Sequence, residues 1–222
     1  WWLAFSLPLL KNCEQTSGKP YEKGDVARSI KGVGTTIKEI IANKPMLIYI
    51  LSYFFYIDGV HTVISMATTY GTNLGLDSTG LLLALLVTQF VAFPFSILFG
   101  RLAEKYDTGK LILTCIAAYT GITVFAVFMK AQWQFWVLAI FVGMFQGGIQ
   151  ALSRSYFAKI VPPERSGEYF GLMDICGKGA SFMGTTVVGL ASQAFGSINI
   201  GVSAIVFLFL AGALFFMKTE HS

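Results

Sequence analysis

Six apolar stretches constrain this chain more than anything else in it. They fall at about 45–70, 79–101, 110–130, 133–153, 168–193 and 198–217. Each holds about 20 residues or more, enough for a helix to cross the roughly 30 Å hydrocarbon core of a bilayer. None shows the strict alternation of a half-buried strand, and no Asn-Gly hairpin turn separates them. A chain of this kind is expected to be an all-α, multi-pass membrane protein, because only structures that satisfy their own backbone polar groups survive in lipid. The composition agrees. Charged residues make up 13% of the 222, against about a quarter in soluble domains. The 23 glycines suit helices that approach closely in lipid.

The remaining segments are assigned around these six. Residues 1–10, WWLAFSLPLL, are too short to span and carry no basic start or small-residue cleavage site. They read as the tail of a truncated transmembrane helix, so the chain is expected to be part of a larger protein. Residues 11–44 form a polar connection in which Val26, Ile30, Val33, Ile37, Ile40 and Ile41 recur at helical spacing. Gly32 and Gly34 weaken the first half, so a short amphipathic helix is expected only from about Thr35 to Asn43, on the membrane surface. Residues 45–217 are the six-helix body and 218–222 a short tail.

Loop charge gives an orientation. Fourteen Lys and Arg residues fall on the side of residues 11–44, and Lys130 alone on the other; Lys178 lies within a segment. The positive-inside rule makes the loops at 11–44, 101–110 and 153–168 cytoplasmic. The basic residues form no single patch, so the net charge of +4 is no argument for nucleic acid. Cys13, Cys115 and Cys176 form no CxxC pair and are expected to be unpaired. Neither HExxH nor GxSxG occurs, and no enzyme activity, cofactor or metal site is expected.

Polar residues inside the apolar segments are the candidate functional positions, since ionisable groups in a bilayer core are costly and usually face a protein interior or a water path. Asp58, His61, Thr62, Ser65 and Thr69 share one face of the first segment. Asp58 lies about 20 Å past Pro45 at 1.5 Å per residue, slightly beyond mid-membrane. It can bind a substrate amine or a proton, or simply anchor helices. Gln146, Gln150 and Ser153 share a face of the fourth segment, where Gly143 and Gly147 form a GxxxG pair. The glutamines can orient a polar substrate or cross-link helices, and GxxxG most often marks packing. In the fifth segment Asp174 precedes Lys178 by four residues, the favourable order for an ion pair on one helix. Lys178 can form a closed pair with Asp174, exchange between Asp174 in one state and Asp58 in another as a way of linking substrate charge to conformation, or hold a substrate carboxylate.

Two turns carry a resemblance. Residues 100–110, GRLAEKYDTGK, are similar to the loop between the second and third helices of each half of the major facilitator superfamily. Gly100, Leu102, Ala103, Glu104 and Lys105 match in type; Glu104 replaces the usual Asp, and Gly109 comes two residues late. The run QALSRSYFAKIVPPERSGEYFG resembles, more specifically, the vacuole-effluxer family of that superfamily, the autophagy-linked fungal vacuolar amino-acid exporters and their bacterial relatives. YFFYIDGVHTVISMATTYG fits the same family.

The resemblance covers the whole chain as a C-terminal half: a sixth-helix tail, the central loop, and helices seven to twelve in two inverted three-helix repeats. It implies a secondary transporter working by alternating access against an N-terminal six-helix half, with lipid around both. Small polar metabolites are the implied substrates, amino acids for export first among them, with the proton as candidate coupling ion. A bacterial plasma membrane is expected rather than a vacuolar one. Gly100, Glu104, Lys105, Arg154 and Arg165 are the implied cytoplasmic gating residues, Gly100 by allowing close helix contact. Asp58, His61, Ser65, Gln146, Gln150, Asp174 and Lys178 are the candidate substrate- or proton-binding residues. The isolated half is not expected to transport, although a homodimer of it could imitate the full pair. The competing expectation is a sensor or assembly scaffold whose charged pairs only hold helices together.

Overall fold

The computed structural model describes residues 6–8 and 25–220. The chain divides into two compact units, Trp1–Thr35 and Thr36–Ser222. The expectation for residues 1–10 falls almost wholly outside the described residues, as does Cys13.

Every regular element among the described residues is helical. Helix α1 is Asp25–Ala42, α2 Lys44–Asn73, α3 Ser78–Lys105, α4 Thr108–Val127 and α5 Gln132–Ile160. A 3-10 turn, Pro163–Arg165, leads to α6, Ser166–Phe195, and α7 is Ile198–Glu220.

The helix starts follow local chemistry. Asn43 accepts the Met46 N–H at 3.3 Å beside Pro45, Asp77 that of Gly80 at 2.7 Å, and Asp107 that of Lys110 at 3.0 Å. Each side chain satisfies one donor that the first helical turn leaves unpaired. Gln134 reaches back to the N–H groups of Lys130 and Ala131 at 2.7 and 2.9 Å. Helix α6 stops at Gly196, whose φ of 64° is the left-handed conformation that glycine adopts without penalty.

Three boundaries differ from the sequence reading. Helix α1 starts at Asp25, not Thr35. A helical glycine costs only about 1 kcal/mol relative to alanine, so Gly32 and Gly34 weaken a helix without ending it. The expected loop 153–168 is mostly helix, because α5 runs on to Ile160. Phe157 there is fully buried, so core packing outweighs the charge at Arg154, and the chain turns only near Pro162 and Pro163. The expected loop 101–110 shrinks likewise to Tyr106 and Asp107.

Helices α2, α3, α4, α5 and α7 are each long and apolar enough to cross a membrane. Helix α6, expected as a sixth span, has 30 residues but is not among them. Its glycines, serines and threonines, with Lys178, dilute its apolar character.

Helix α2 is the hub. It packs on α6 and α7, while α3 packs on α5, α5 also on α4, and α7 also on α4 and α6. Exchanging α2–α4 for α5–α7 maps the α3–α5 contact onto α6–α2, α4–α5 onto α7–α2, and α4–α7 onto itself, while the α6–α7 contact has no counterpart of that extent between α3 and α4. That is the pattern of two interleaved three-helix repeats.

Aromatic side chains fill the centre: Tyr49, Tyr56, Tyr119, Phe157, Phe209 and Phe216 are all fully buried. Two of the tyrosine hydroxyls join helices, whereas that of Tyr119 is buried without a hydrogen-bond partner. Tyr49 donates to the Ser153 carbonyl at 2.7 Å, and Tyr56 shares a 2.7 Å hydrogen bond with the Ser153 hydroxyl. Ser52 donates to the Gly212 carbonyl at 2.7 Å. Outward-facing Phe90, Phe93 and Phe207 are over 70% exposed, which suits a lipid-facing surface.

The GxxxG pair is a packing device. A Cβ at Gly143 would lie 2.7 Å from the Thr88 carbonyl oxygen, and one at Gly147 would lie 2.9 Å from that of Ala92, both on α3. Gly147→Val is therefore expected to separate α3 from α5 and cost about 1–3 kcal/mol. Thermal unfolding in detergent checks this, and an unchanged melting temperature would count against it.

Candidate functional site

Helices α2, α5 and α6 enclose a polar cavity of about 250 Å³. Tyr53, Ile57 and His61 come from α2, Gln150 and Arg154 from α5, and Asp174, Gly177 and Lys178 from α6. Gly177 brings α6 close: a Cβ there would sit 3.1 Å from the Tyr53 hydroxyl. The His61 Nδ1 and the Ser181 hydroxyl share a 2.8 Å hydrogen bond that closes the cavity's flank between α2 and α6.

The charges are arranged otherwise than expected. Arg154 Nη2 donates to Asp174 Oδ1 at 2.7 Å. Asp174 thus pairs across helices with a guanidinium 20 residues away, and not with Lys178 one turn on. An exposed i,i+4 pair is worth only about 0.3–0.5 kcal/mol. The planar guanidinium loses less freedom per bond formed than a lysine arm. Among the described residues Lys178 forms no ion pair, with Asp174 or with Asp58. The cavity therefore holds a closed Arg154–Asp174 pair and one uncompensated cation.

Four of the seven candidate binding residues, His61, Gln150, Asp174 and Lys178, meet at this cavity. The other three do not line it. Ser65 donates to its own helix at the Thr62 carbonyl, 3.3 Å away. Gln146 keeps a buried Oε1 with no hydrogen-bond partner. Asp58 is fully buried between α2 and α6, where its Oδ1 accepts the Gly184 N–H at 2.9 Å and the Thr62 hydroxyl at 3.3 Å. Shared face on one helix did not mean shared site, because neighbouring helices cover different turns of that face.

Tyr53, Ser181 and Gly184 were missed by sequence reasoning. Gly177, Ser181 and Gly184 lie at i, i+4 and i+7, a stripe of small residues that marks a close helix contact. That stripe was the available signal.

The five gating candidates also separate. Gly100 makes no close contact, since a Cβ there would have nothing within 4 Å. The tight approach belongs to Gly148, whose Cβ would overlap the Phe99 ring. Glu104 and Lys105 are exposed and in no ion pair among the described residues. Arg154 belongs to the cavity.

Arg165 builds a different structure. Its Nη1 donates to both Glu39 oxygens at 2.8 Å, and its Nη2 to Glu168 at 2.8 Å and Thr36 at 2.7 Å. Tyr169 donates to Glu39 at 2.7 Å, and Thr36 to Glu168 at 2.8 Å. This strap ties the C-terminal part of α1 to the turn between α5 and α6. Ile40 is buried beneath it, whereas Ile37 and Ile41 stay 42% and 58% exposed.

Hydrogen bonds from Arg165, then Tyr169, hold the Glu39 carboxyl below its ordinary value of 4.5. A lowered acid contributes stability that is present above 4.5 and lost as pH falls through the folded-state value beneath it. The strap is therefore expected to hold at neutral pH and release on acidification. The distance between two spin labels, one on α1 after Thr36 and one beside Arg165, reports it. An equal distance at acid and neutral pH would refute the role of Glu39.

The fold and cavity together define a multi-pass integral membrane protein built from paired helical repeats around a polar interior. Over residues 1–222 the chain matches the family described as "Vacuole effluxer Atg22 like", and it belongs to that family of the major facilitator superfamily. It is 43% identical over 224 residues to "Uncharacterized MFS-type transporter YxiO" of Bacillus subtilis, covering 100% of this chain and 52% of that protein. It is 25% identical over 234 residues to "Autophagy-related protein 22-1" of Aspergillus niger, covering 94% of this chain and 37% of that protein. It is 26% identical over 232 residues to "Autophagy-related protein 22" of Cryptococcus neoformans, covering 95% of this chain and 42% of that protein. The chain thus spans about half the length, or less, of the curated relatives it matches.

Proposed function

We propose that this chain is the C-terminal half of a secondary transporter that exports small polar metabolites, amino acids first among them, by alternating access. The observation that carries the reading is Lys178, a cation without an ion-pair partner among the described residues, at the wall of a polar cavity. An unpaired charge inside a membrane protein is expensive to keep for packing alone. A substrate carboxylate would supply its missing partner, and Gln150 and His61 would orient the remaining polar groups. Asp174, already bound to Arg154, offers an exchangeable counter-charge to a substrate amine. A 250 Å³ cavity suits a small solute, with the other wall supplied by an N-terminal six-helix half.

Membership of the effluxer family and the relative named as an MFS-type transporter support this reading. Loop charge supports a cytoplasmic location for the strap and for the α3–α4 turn. The plasma membrane of a bacterium is the proposed site, supported by the Bacillus relative. Proton coupling is proposed as the energy source.

The test is counterflow in proteoliposomes of the full-length protein with a broad amino-acid panel. Exchange of at least one amino acid is expected. No substrate-dependent flux across the panel would favour a scaffold whose ion pairs only hold helices. Residues 1–222 alone are expected to give no flux, because half of the pathway wall is absent.

A further inference from the structure

Among the described residues Asp58 is the one Asp, Glu, Lys, Arg or His that is fully buried. Its Oδ1 is satisfied by the Gly184 N–H and the Thr62 hydroxyl, but its Oδ2 is buried with no hydrogen-bond partner. No cation lies within ion-pair distance among the described residues. A carboxylate ion in that position would be desolvated and uncompensated, at a cost of several kcal/mol. A neutral acid leaves only one unmet polar group, at about 1–3 kcal/mol. On this balance a protonated carboxyl fits the position better than a carboxylate.

From this we infer that Asp58 is the proton site of the protein. It is separate from the solute cavity and seals α2 against α6 while it is neutral. The seal is tight because Gly184 has no side chain; a Cβ there would overlap Asp58 Oδ1 and the Thr62 hydroxyl. Loss of the proton breaks the Oδ2–H bond, passes the proton to water, and leaves a charge at the helix contact. The charge is relieved when α2 and α6 part enough for water to reach Oδ2. The same two helices carry Tyr53, His61, Asp174 and Lys178 of the cavity, so parting them changes its width. Reprotonation from water closes the seal again.

Few other titratable groups bear on this position. On α2, His61 is turned to Ser181, and Tyr56 to Ser153. On α6, Asp174 and Lys178 lie on the cavity side, and Cys176 is half-buried. Helix α7 presents Phe209 to Gly59 and has no titratable side chain before Lys218. Helix α4 brings the buried Cys115 and Tyr119. Those on α3 and α5, Arg101, Glu104, Lys105, Arg154, Tyr156 and Lys159, sit toward the helix ends.

The inference deepens the transport reading and rests on it for the coupling, but the protonated acid can be tested without transport. Infrared difference spectroscopy of the full-length protein in detergent should show a protonated-carboxyl band that disappears on alkalinisation. The band should be absent from Asp58→Asn and displaced in Asp58→Glu, which keeps a titratable acid. A band unchanged in both variants would overturn the assignment. In proteoliposomes, Asp58→Asn is expected to make substrate exchange insensitive to pH. It should also lower accumulation driven by a pH gradient by about tenfold or more. Gradient-driven accumulation within about twofold of the unmutated protein would overturn the coupling role. Absence of flux from the unmutated protein would remove the transport reading, and the band would then decide the proton site alone.

Discussion

Lys178→Met in the full-length protein is expected to weaken solute binding by about ten- to a hundredfold. A hydrogen bond to a charged group is worth about 1.5–3 kcal/mol, and each 1.4 kcal/mol is about tenfold in affinity. The substitution keeps most of the arm's volume and removes only the charge, so helix packing around Gly177 and Ala180 should survive. Unfolding temperature should hold while the half-saturating substrate concentration for counterflow rises. Lys178→Arg keeps a cation and should recover part of the affinity. If Lys178→Met bound substrate within about twofold of the unmutated protein, Lys178 would not be the carboxylate partner, and Arg154 would be the next candidate.

The second large effect is at Gly184. An alanine there places a methyl group into Asp58 Oδ1 and the Thr62 hydroxyl, both buried on the facing helix. Either the helices separate or Asp58 loses the Gly184 N–H. Overpacking of this kind costs about 1–3 kcal/mol, and an orphaned buried acceptor costs about 1–3 kcal/mol more. Gly184→Ala should lower the melting temperature by several degrees, at about 2–4 °C per kcal/mol for a unit of this size. Gly189, five residues on, has nothing within 4 Å of an added Cβ. Gly189→Ala should leave stability unchanged or raise it, since alanine is the better helix former by about 1 kcal/mol. Equal losses from the two alanines would show that helix propensity, not the Asp58 contact, sets the cost.

The two substitutions mark what was legible along the chain. Lys178 stands out in any linear reading, because a charge in an apolar run has few reasons to be there. Gly184 does not, because a glycine among 23 is unremarkable until the atom it makes room for is known. Arg154 shows the same limit. It sits at the edge of an apolar segment and reads as a loop charge, yet α5 continues past it to Ile160 and turns it into the cavity. Arg165 was recognised as part of a turn motif, but its partners Glu39 and Thr36 are over 120 residues away.

The sequence by itself determined the class, the number and order of long helices, their approximate limits, and the family. Apolar length and capping residues act locally, over one or two turns, so they can be read without a fold. Only the tertiary structure decided which charges meet. It paired Asp174 with Arg154 instead of Lys178, and it placed Asp58 in a dry contact away from the cavity it was expected to line. Ion pairing depends on distances across helices, and a hundred-degree step per residue turns a small change in helix rotation into a different neighbour. The interior of a membrane protein is therefore marked in its sequence by which polar residues occur, while their partners are set by packing.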